Sequence, residues 1–325
     1  MINVIKYIPK SIDIEKLKPY KKDSFILEKL NISELLVNDI NNEDVLVSED
    51  TYICESDLVV FSTLNTEEES NLQFYIYDKE HNDFMIHHDI FVLSAINDAI
   101  YLNFKDFDYI ALGTFDKYVY LYDSLIFNPI APQILLEGHT ESVMCVLYEN
   151  NKFLSGSEDK SIIEWDLEKI MIKSQFRTED SIEKILLLSE NIYYSQKNII
   201  KNLNNKEIIT LDGNIENLVS LNHNIFATTS TGFLTVYDDR NINKPYFSNK
   251  YCDAHLTGLD ILKNKIGLCS EEGNIYILDA LDFEIKYSEI LKSNLYSIKL
   301  NEDNLIFYGD ENNLLNMKSF NKQIF

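Results

Sequence analysis

The sequence predicts an all-β protein built as a seven-bladed β-propeller. Three observations carry this: a phrase recurring about every 40 residues, strand-like alternation inside each copy, and a strand-favouring residue mix. The phrase is a small or polar turn, an apolar strand of period two, then an aromatic or aliphatic residue followed by Asp. It reads GTFDKYVYLYD ending at Asp123, SGSEDKSIIEWD at Asp166, TTSTGFLTVYD at Asp238 and SEEGNIYILD at Asp279. Weaker copies are NLQFYIYD at Asp78, SQKNIIKNLN at Asn204 and GDENNLLNMK at Lys318. Successive ends lie 45, 43, 38, 34, 41 and 39 residues apart, so seven similar units run in series. Twenty Tyr and 18 Phe against nine Gly add β-propensity.

The third unit shows the internal plan. VMCVLY (Val143–Tyr148) predicts a strand, Glu149-Asn150-Asn151 a turn, and KFLSGS (Lys152–Ser157) a second strand. Glu158-Asp159-Lys160 is a tight turn, SIIEWD (Ser161–Asp166) a third strand, and KIMIKSQFR (Lys169–Arg177) an outer fourth. A small antiparallel sheet of this kind cannot bury both faces alone. Stacking such sheets radially covers each by its neighbours, and closing the circle removes the exposed end faces. Residues 43–320 hold no sustained helical period; short helical patterning is confined to about residues 11–37. The division expected is therefore 1–42, an N-terminal strand at Ile2–Ile8 with a basic, short helical lead-in, and 43–325, the propeller. Whether the N-terminal strand completes the first or the last blade is open at this level.

Charge and cysteine usage narrow the class. Twenty-nine basic and 53 acidic residues give a net charge of −24, which repels phosphate backbones and anionic lipid over most of the surface. The longest aliphatic run is Ile185–Leu188, far short of a membrane span, and Lys6 and Lys10 interrupt any signal-like apolar stretch. The expectation is a soluble intracellular protein with no membrane partner. Lys6, Lys10, Lys16, Lys18, Lys21 and Lys22 stand against only Asp13 and Glu15 in the first 22 residues. They are candidate nucleic-acid contacts, beside the plainer reading of a solubilising terminus. Cys54, Cys145, Cys252 and Cys269 form no CxxC pair, which excludes zinc ribbons and dithiol redox motifs and predicts reduced core thiols.

One unit is unusually complete. Glu137-Gly138-His139 precedes it, Ser155 and Ser157 lie on its second strand, Asp159 in its tight turn, and Trp165-Asp166 closes its third strand. This pattern resembles the tryptophan–aspartate (WD) repeat. The resemblance implies a structural tetrad in which Asp159 fixes the His139 tautomer, His139 meets a serine hydroxyl, and that hydroxyl accepts from the indole N–H. Ser155 and Ser157 are both candidates for the hydroxyl. The other units are degraded: Tyr122, Leu203, Tyr237, Leu278 and Met317 replace the tryptophan, which occurs once. Period two places Glu164 on the Ile162 face, where sister units carry Leu121, Val236 and Ile277. Pairing with a basic residue of a neighbouring blade and a place near the rim are both open to it.

The most specific text is LQFYIYDKEHNDFMIHHDIFVLS at residues 72–94. With Tyr77, Asp83, Phe84, His87, His88, Asp89, Ile90, Leu93 and Ser94 in this order, it resembles the unusual first blade of the periodic tryptophan protein 1 family. The similarity continues through Tyr109–Gly113, Glu137–Thr140 and Leu154–Ser157, then Ala227-Thr228, Asp239-Arg240 and Asp253-Ala254-His255. It covers roughly residues 43–285. It implies a nuclear and nucleolar, non-catalytic WD-repeat scaffold in assembly and rRNA processing of the large (60S) ribosomal subunit. The partners implied are basic assembly factors or ribosomal proteins of the pre-60S particle, held by a monomer within a larger complex. Ribosomal RNA contact would run through the N-terminal lysines. A histone-binding propeller at ribosomal DNA and a WD-repeat hydrolase are the rival readings. This chain departs from the family in its short segment before the propeller, the missing lysine-rich insert near the third blade, and its two arginines.

His87-His88-Asp89 is the constellation most like a metal site. Consecutive strand residues face opposite ways, so both imidazoles cannot serve one metal without a bulge. The expectation is a capped strand end at a blade junction, with His255 in a similar junction and no metal or cofactor. His223 falls in an exposed turn. GxGxxG, GxxxxGK[ST], HExxH, GxSxG and EF-hand motifs are all lacking, so no enzyme is expected.

Overall fold

A computed structural model describes residues 1–8, 23–30, 57–105, 107–124, 126, 129–204 and 208–320. Among them, seven antiparallel sheets follow one another as blades. Blade 1 comprises β1 (Ile5–Ile8), β2 (Leu58–Asn65), β3 (Ser70–Asp78) and β4 (Asp83–Val92). Blade 2 comprises β5 (Ile96–Phe104), β6 (Phe107–Thr114), β7 (Val119–Asp123) and β8 (Ile134–Leu136). Blade 3 comprises β9 (Val143–Glu149), β10 (Lys152–Ser157), β11 (Ser161–Asp166) and β12 (Met171–Arg177), close to the divisions read from its turns. Blade 4 comprises β13 (Lys184–Leu188), β14 (Asn191–Gln196), β15 (Ile199–Asn202) and β16 (Ile208–Thr210). Blade 5 comprises β17 (Ile215–Leu221), β18 (Asn224–Thr229), β19 (Phe233–Asp238) and β20 (Phe247–Lys250). Blade 6 comprises β21 (Gly258–Leu262), β22 (Lys265–Cys269), β23 (Asn274–Asp279) and β24 (Ile285–Ile290). Blade 7 has three described strands, β25 (Leu295–Leu300), β26 (Leu305–Asp310) and β27 (Leu315–Ser319).

Alternation along each strand builds the core. Leu154 and Ile162 of blade 3 pack with Ile182 and Ile185 leading into blade 4, while Phe153, Ile163 and Trp165 pack with Leu121 and Leu136 of blade 2. The same division recurs around the circle, giving one apolar cluster at each of the seven blade junctions. Each sheet thus buries both faces, as its near-continuous apolar strands require.

The ring closes through the N-terminal strand. β1 pairs antiparallel with β2, with Ile5 opposite Ser62, and is the innermost strand of blade 1. Its other side meets blade 7: Ile2 and Ile5 cluster with Leu305 and Phe307, the Tyr7 hydroxyl donates to Leu300 O at 2.8 Å, and the Ser297 hydroxyl donates to Ile2 O at 2.8 Å. The short helix α1 (Ser24–Lys29) is capped by the Asp23 carboxylate, which accepts from Phe25 N at 3.0 Å and Ile26 N at 3.4 Å. Its buried Ile26 and Leu27 pack on Ala131 beside blade 2.

Antiparallel order gives the disc two unlike faces. Every innermost strand begins on one face, here the upper; the turn from second to third strand and the link into the next blade lie on that same face. No helix among the described residues is long and apolar enough to cross a membrane.

Candidate functional site

The polar group in blade 3 is assembled from three elements. His139 sits in the link entering β9, Ser155 on β10, Asp159 in the turn that follows, and Trp165 near the end of β11. His139 Nδ1 lies 3.0 Å from Asp159 Oδ2, and His139 Nε2 lies 2.7 Å from Ser155 Oγ. Trp165 Nε1 donates to the same Ser155 oxygen at 2.8 Å. Asp159 can only accept while ionised, so the network assigns the imidazole proton to Nδ1 and leaves Nε2 to accept from the serine hydroxyl. Asp159 also accepts from Thr140 N at 3.0 Å and from the Ser161 hydroxyl at 2.5 Å.

The hydroxyl left open by the sequence is that of Ser155. Ser157 does different work: its hydroxyl donates to Glu141 O at 3.1 Å and accepts from Asp159 N at 3.1 Å, bracing the turn. Gly138 is required by the indole, because a Cβ there would stand 2.8 Å from the Trp165 ring and 2.9 Å from Ile163.

Electrostatics and access both make this group structural. Burial holds His139 below the ordinary imidazole range, against the opposing pull of Asp159. Burial acts to raise Asp159, but the Ser161 hydroxyl, the Thr140 N–H and His139 outweigh it and leave that carboxyl below its usual range. Ser155, His139 and Asp159 are connected in the hydrogen-bond order of a hydrolytic triad. The His139 and Asp159 side chains are nevertheless only 0% and 2% exposed, and Ser155 is fully buried with its oxygen facing the indole. A substrate has no path to the hydroxyl, so the hydrolase reading of these residues fails on access.

Other expected positions turn out differently. His87 and His88 do not face opposite ways. The ladder between β3 and β4 skips a residue, with Phe74 opposite His88 and Tyr75 opposite Ile86, so His87 is the extra residue of a β-bulge. The bulge brings His87 Nδ1 to 2.7 Å from His88 Nδ1. His88 stacks on Phe74 at 4.2 Å between ring centres, and burial pushes it down to about 3. Asp89 is exposed, and all three lie within β4 on the outer edge of blade 1. They do not cap a strand end as the sequence reading had them. Among the described residues, no group of three or more His, Cys, Asp or Glu is placed to hold a metal.

His255 does stand at a junction: its Nδ1 is 3.3 Å from Glu216 of blade 5 and 4.0 Å from Glu271 of blade 6. His223 is in the turn after β17, with Nδ1 3.1 Å from Asp239 Oδ1. Glu164 pairs within its own blade, with Lys173 at 2.7 Å and the Ser174 hydroxyl at 2.9 Å, and so needs no neighbouring blade. Cys145 and Cys269 are buried free thiols and Cys252 is half-buried, while Cys54 lies outside the described residues.

Lys6 is a correction to the idea of a free basic tail. It lies on β1, half-buried at the axis of the ring. Lys10, Lys16, Lys18, Lys21 and Lys22 lie outside the described residues. The axis itself holds a cavity of about 290 Å³ at the upper face, lined by the first residues of the inner strands. Apart from Lys6, its charged groups do not stand out in the sequence, because single charged residues from six blades meet there without any local motif.

The whole architecture has a solved counterpart. The WD40 β-propeller domain of Doa1 matches with a TM-score of 0.69 at 15% identity, over 82% of this chain and 90% of that one. The chain has the WD40 β-propeller fold. No protein-family model matches it.

Proposed function

We propose that this WD40 propeller is a non-catalytic scaffold that binds basic proteins during assembly of the large ribosomal subunit, in the nucleolus. The reading is supported above all by residues 72–94. A propeller needs only apolar alternation along β3 and β4, yet this stretch also carries His87, His88 and Asp89 in the order of the periodic tryptophan protein 1 family. Rigid frames that expose loops on two faces suit simultaneous contacts with several partners.

Charge defines the kind of partner. The upper face carries exposed Glu68, Glu158, Glu179, Asp212, Glu272 and Glu311 on successive turns and links. Bases are interspersed on both faces, Lys117, Lys160, Lys197 and Lys292 above and Lys105, Lys169, Arg240 and Lys263 below, and the upper face stays acidic on balance. An acidic face repels RNA and attracts lysine- and arginine-rich segments, speeding their encounter at low salt. Affinity purification from the native organism should recover precursor large-subunit particles, and depletion should accumulate large-subunit rRNA precursors. Recovery of histones with no ribosomal precursor would transfer the reading to chromatin, and unchanged rRNA processing would sink it.

A further inference from the structure

We propose that the side wall where blade 7 meets blade 1 docks an extended segment of a basic partner, laid along β27 as a further strand. The partner's positive charge rests on the proposed function; the place and the recognised pattern go beyond it.

β4 supplies the wall. Across its ladder with β3, Ile86 stands opposite Tyr75, Asp89 opposite Gln73 and Phe91 opposite Asn71. Tyr75 packs in the cluster that holds Leu305 and Phe307 of blade 7, so this face of β4 looks towards blade 7. Phe84, at the lower end of the face, is covered: it stacks on Tyr75 at 5.2 Å and lies 5.4 Å from Phe307. Farther up, Ile86 is 57% exposed and Phe91 51%. On the corresponding face of β12, Ile172 packs in one cluster with Ile134 of β8, the outer strand of the preceding blade. Among the described residues the blade preceding β4 ends at its third strand, β27, and Ile86 and Phe91 stand open to solvent.

Charge decides what fits. Residues 58–92 of blade 1 carry seven acidic groups and one lysine, Lys79, which Asp303 of blade 7 holds at 2.5 Å. Lys318 on β27 pairs with Glu289 of blade 6 at 2.5 Å. Lys292 is exposed at the upper end, together with Glu67, Glu68, Glu69 and Glu311. With Asp303, Glu289 and Glu311 added to the seven, ten acids stand against three lysines, an excess that the three histidines of blade 1 cannot cancel even when protonated. Such a wall attracts a lysine- or arginine-bearing strand and repels nucleic acid.

Spacing sets the pattern. With His87 as the bulged residue, Ile86, Asp89 and Phe91 occupy every second position of one face. An added strand therefore meets the wall with an apolar, a basic and an apolar side chain at alternate positions. The sequence it needs is apolar–x–basic–x–apolar, which reads alike in both strand directions. Those five positions match the length of β27, Leu315–Ser319, whose main chain is the edge that would pair with it.

Fluorescence anisotropy of the full chain with the labelled peptide KKVTKTIKK tests this, against KKTTKVIKK, which has the same composition without the alternation. Saturable binding of the first is expected, at least about tenfold tighter than of the second. Ile86→Ser, Phe91→Ser and Asp89→Lys should each weaken it at least about fivefold. All three side chains are exposed, so melting temperatures should not change, which separates loss of the site from loss of the fold. Ile290→Ser, at a 77% exposed position on blade 6, should bind as the wild type does. Amide exchange should slow across β27 when the peptide binds. No saturable binding, equal affinity for both peptides, or no response to Ile86→Ser and Phe91→Ser would overturn the proposal. The peptides contain nothing ribosomal, so their failure to bind is distinct from a purification that recovers no precursor particle.

Discussion

The indole nitrogen of Trp165 and the imidazole of His139 share a single oxygen, Ser155 Oγ, at 2.8 and 2.7 Å. The serine both donates and accepts, so it ties the strand bearing the tryptophan to the link entering the blade. Ser155→Ala leaves two buried ring nitrogens unsatisfied. It should cost about 2–3 kcal/mol, against roughly 1 kcal/mol for Ser157→Ala, whose partners are nearer solvent. Urea unfolding of the two variants checks the order; equal losses would mean the hydroxyls are interchangeable.

Gly138 and Trp165 form a steric pair. A methyl at residue 138 would press on the indole at 2.8 Å, with Ile163 and Ile172 each at 2.9 Å behind it. Gly138→Ala should destabilise by about 1–3 kcal/mol as an overpacked contact. Trp165→Phe removes the ring atom that clashes, so the double variant should lose less than the sum of the singles. A double-mutant cycle of chemical denaturation measures the coupling, and strict additivity would refute the pairing.

These contrasts show what a chain can disclose before it is folded. The blades were legible because period-two alternation and turn residues are local, and Glu158–Lys160 marks its turn without reference to anything distant. Trp165 and His139 were legible as partners because the repeat fixes their spacing. The His87 bulge was not, since an extra residue in β4 is defined only by its pairing with Phe74 and Tyr75 of β3. Lys6 was misjudged for a related reason: its neighbours in sequence are other lysines, whereas its neighbours in space are Lys299 and Asp260, more than 250 residues away. Nothing in the sequence around Ile5–Ile8 announces a partner strand at Leu58–Asn65.

Acid should weaken the protein through its buried imidazoles. His88 titrates near 3 when folded and His139 is also depressed, both chiefly by burial, while the unfolded chain holds them near the ordinary value of about 6.5. The folded state therefore binds fewer protons, and stability is lost as pH falls below about 6.5 until the folded values are reached. His87 is the titratable ring beside His88, on the same strand. His88→Phe keeps the stack on Phe74 and removes one titration. Its stability should vary less steeply between about pH 6.5 and 3 than that of the wild type. Identical slopes in pH-dependent denaturation would show that His88 is not a desolvated base.

Lys160 occupies a left-handed position, with φ of 64°, in the turn between β10 and β11. The corresponding turns of blades 5 and 6 place Gly232 and Gly273 there, with φ of 85° and 83°. A side chain in this region costs roughly 1 kcal/mol, partly offset by the freedom glycine gains when unfolded. Lys160→Gly should therefore raise stability by up to about 1 kcal/mol, readable as a higher urea midpoint. A lower midpoint would mean that the lysine side chain contributes more than its backbone strain costs.

Closure of the ring depends on Ile2. It is fully buried between the first and seventh blades, its carbonyl accepts from Ser297, and a Cβ on Gly309 would approach its side chain to 2.6 Å. Ile2→Ala opens a cavity at the one junction whose two sheets come from opposite ends of the chain, and should cost about 2–5 kcal/mol. Tyr7→Phe, which removes only the bond to Leu300 O, should cost about 1 kcal/mol. Loss at this junction frees β1 and β25 together, so amide exchange should quicken in both strands of Ile2→Ala and leave β9 and β13 protected. Uniform acceleration across all blades would instead show that the ring opens as a single cooperative unit with no weak seam.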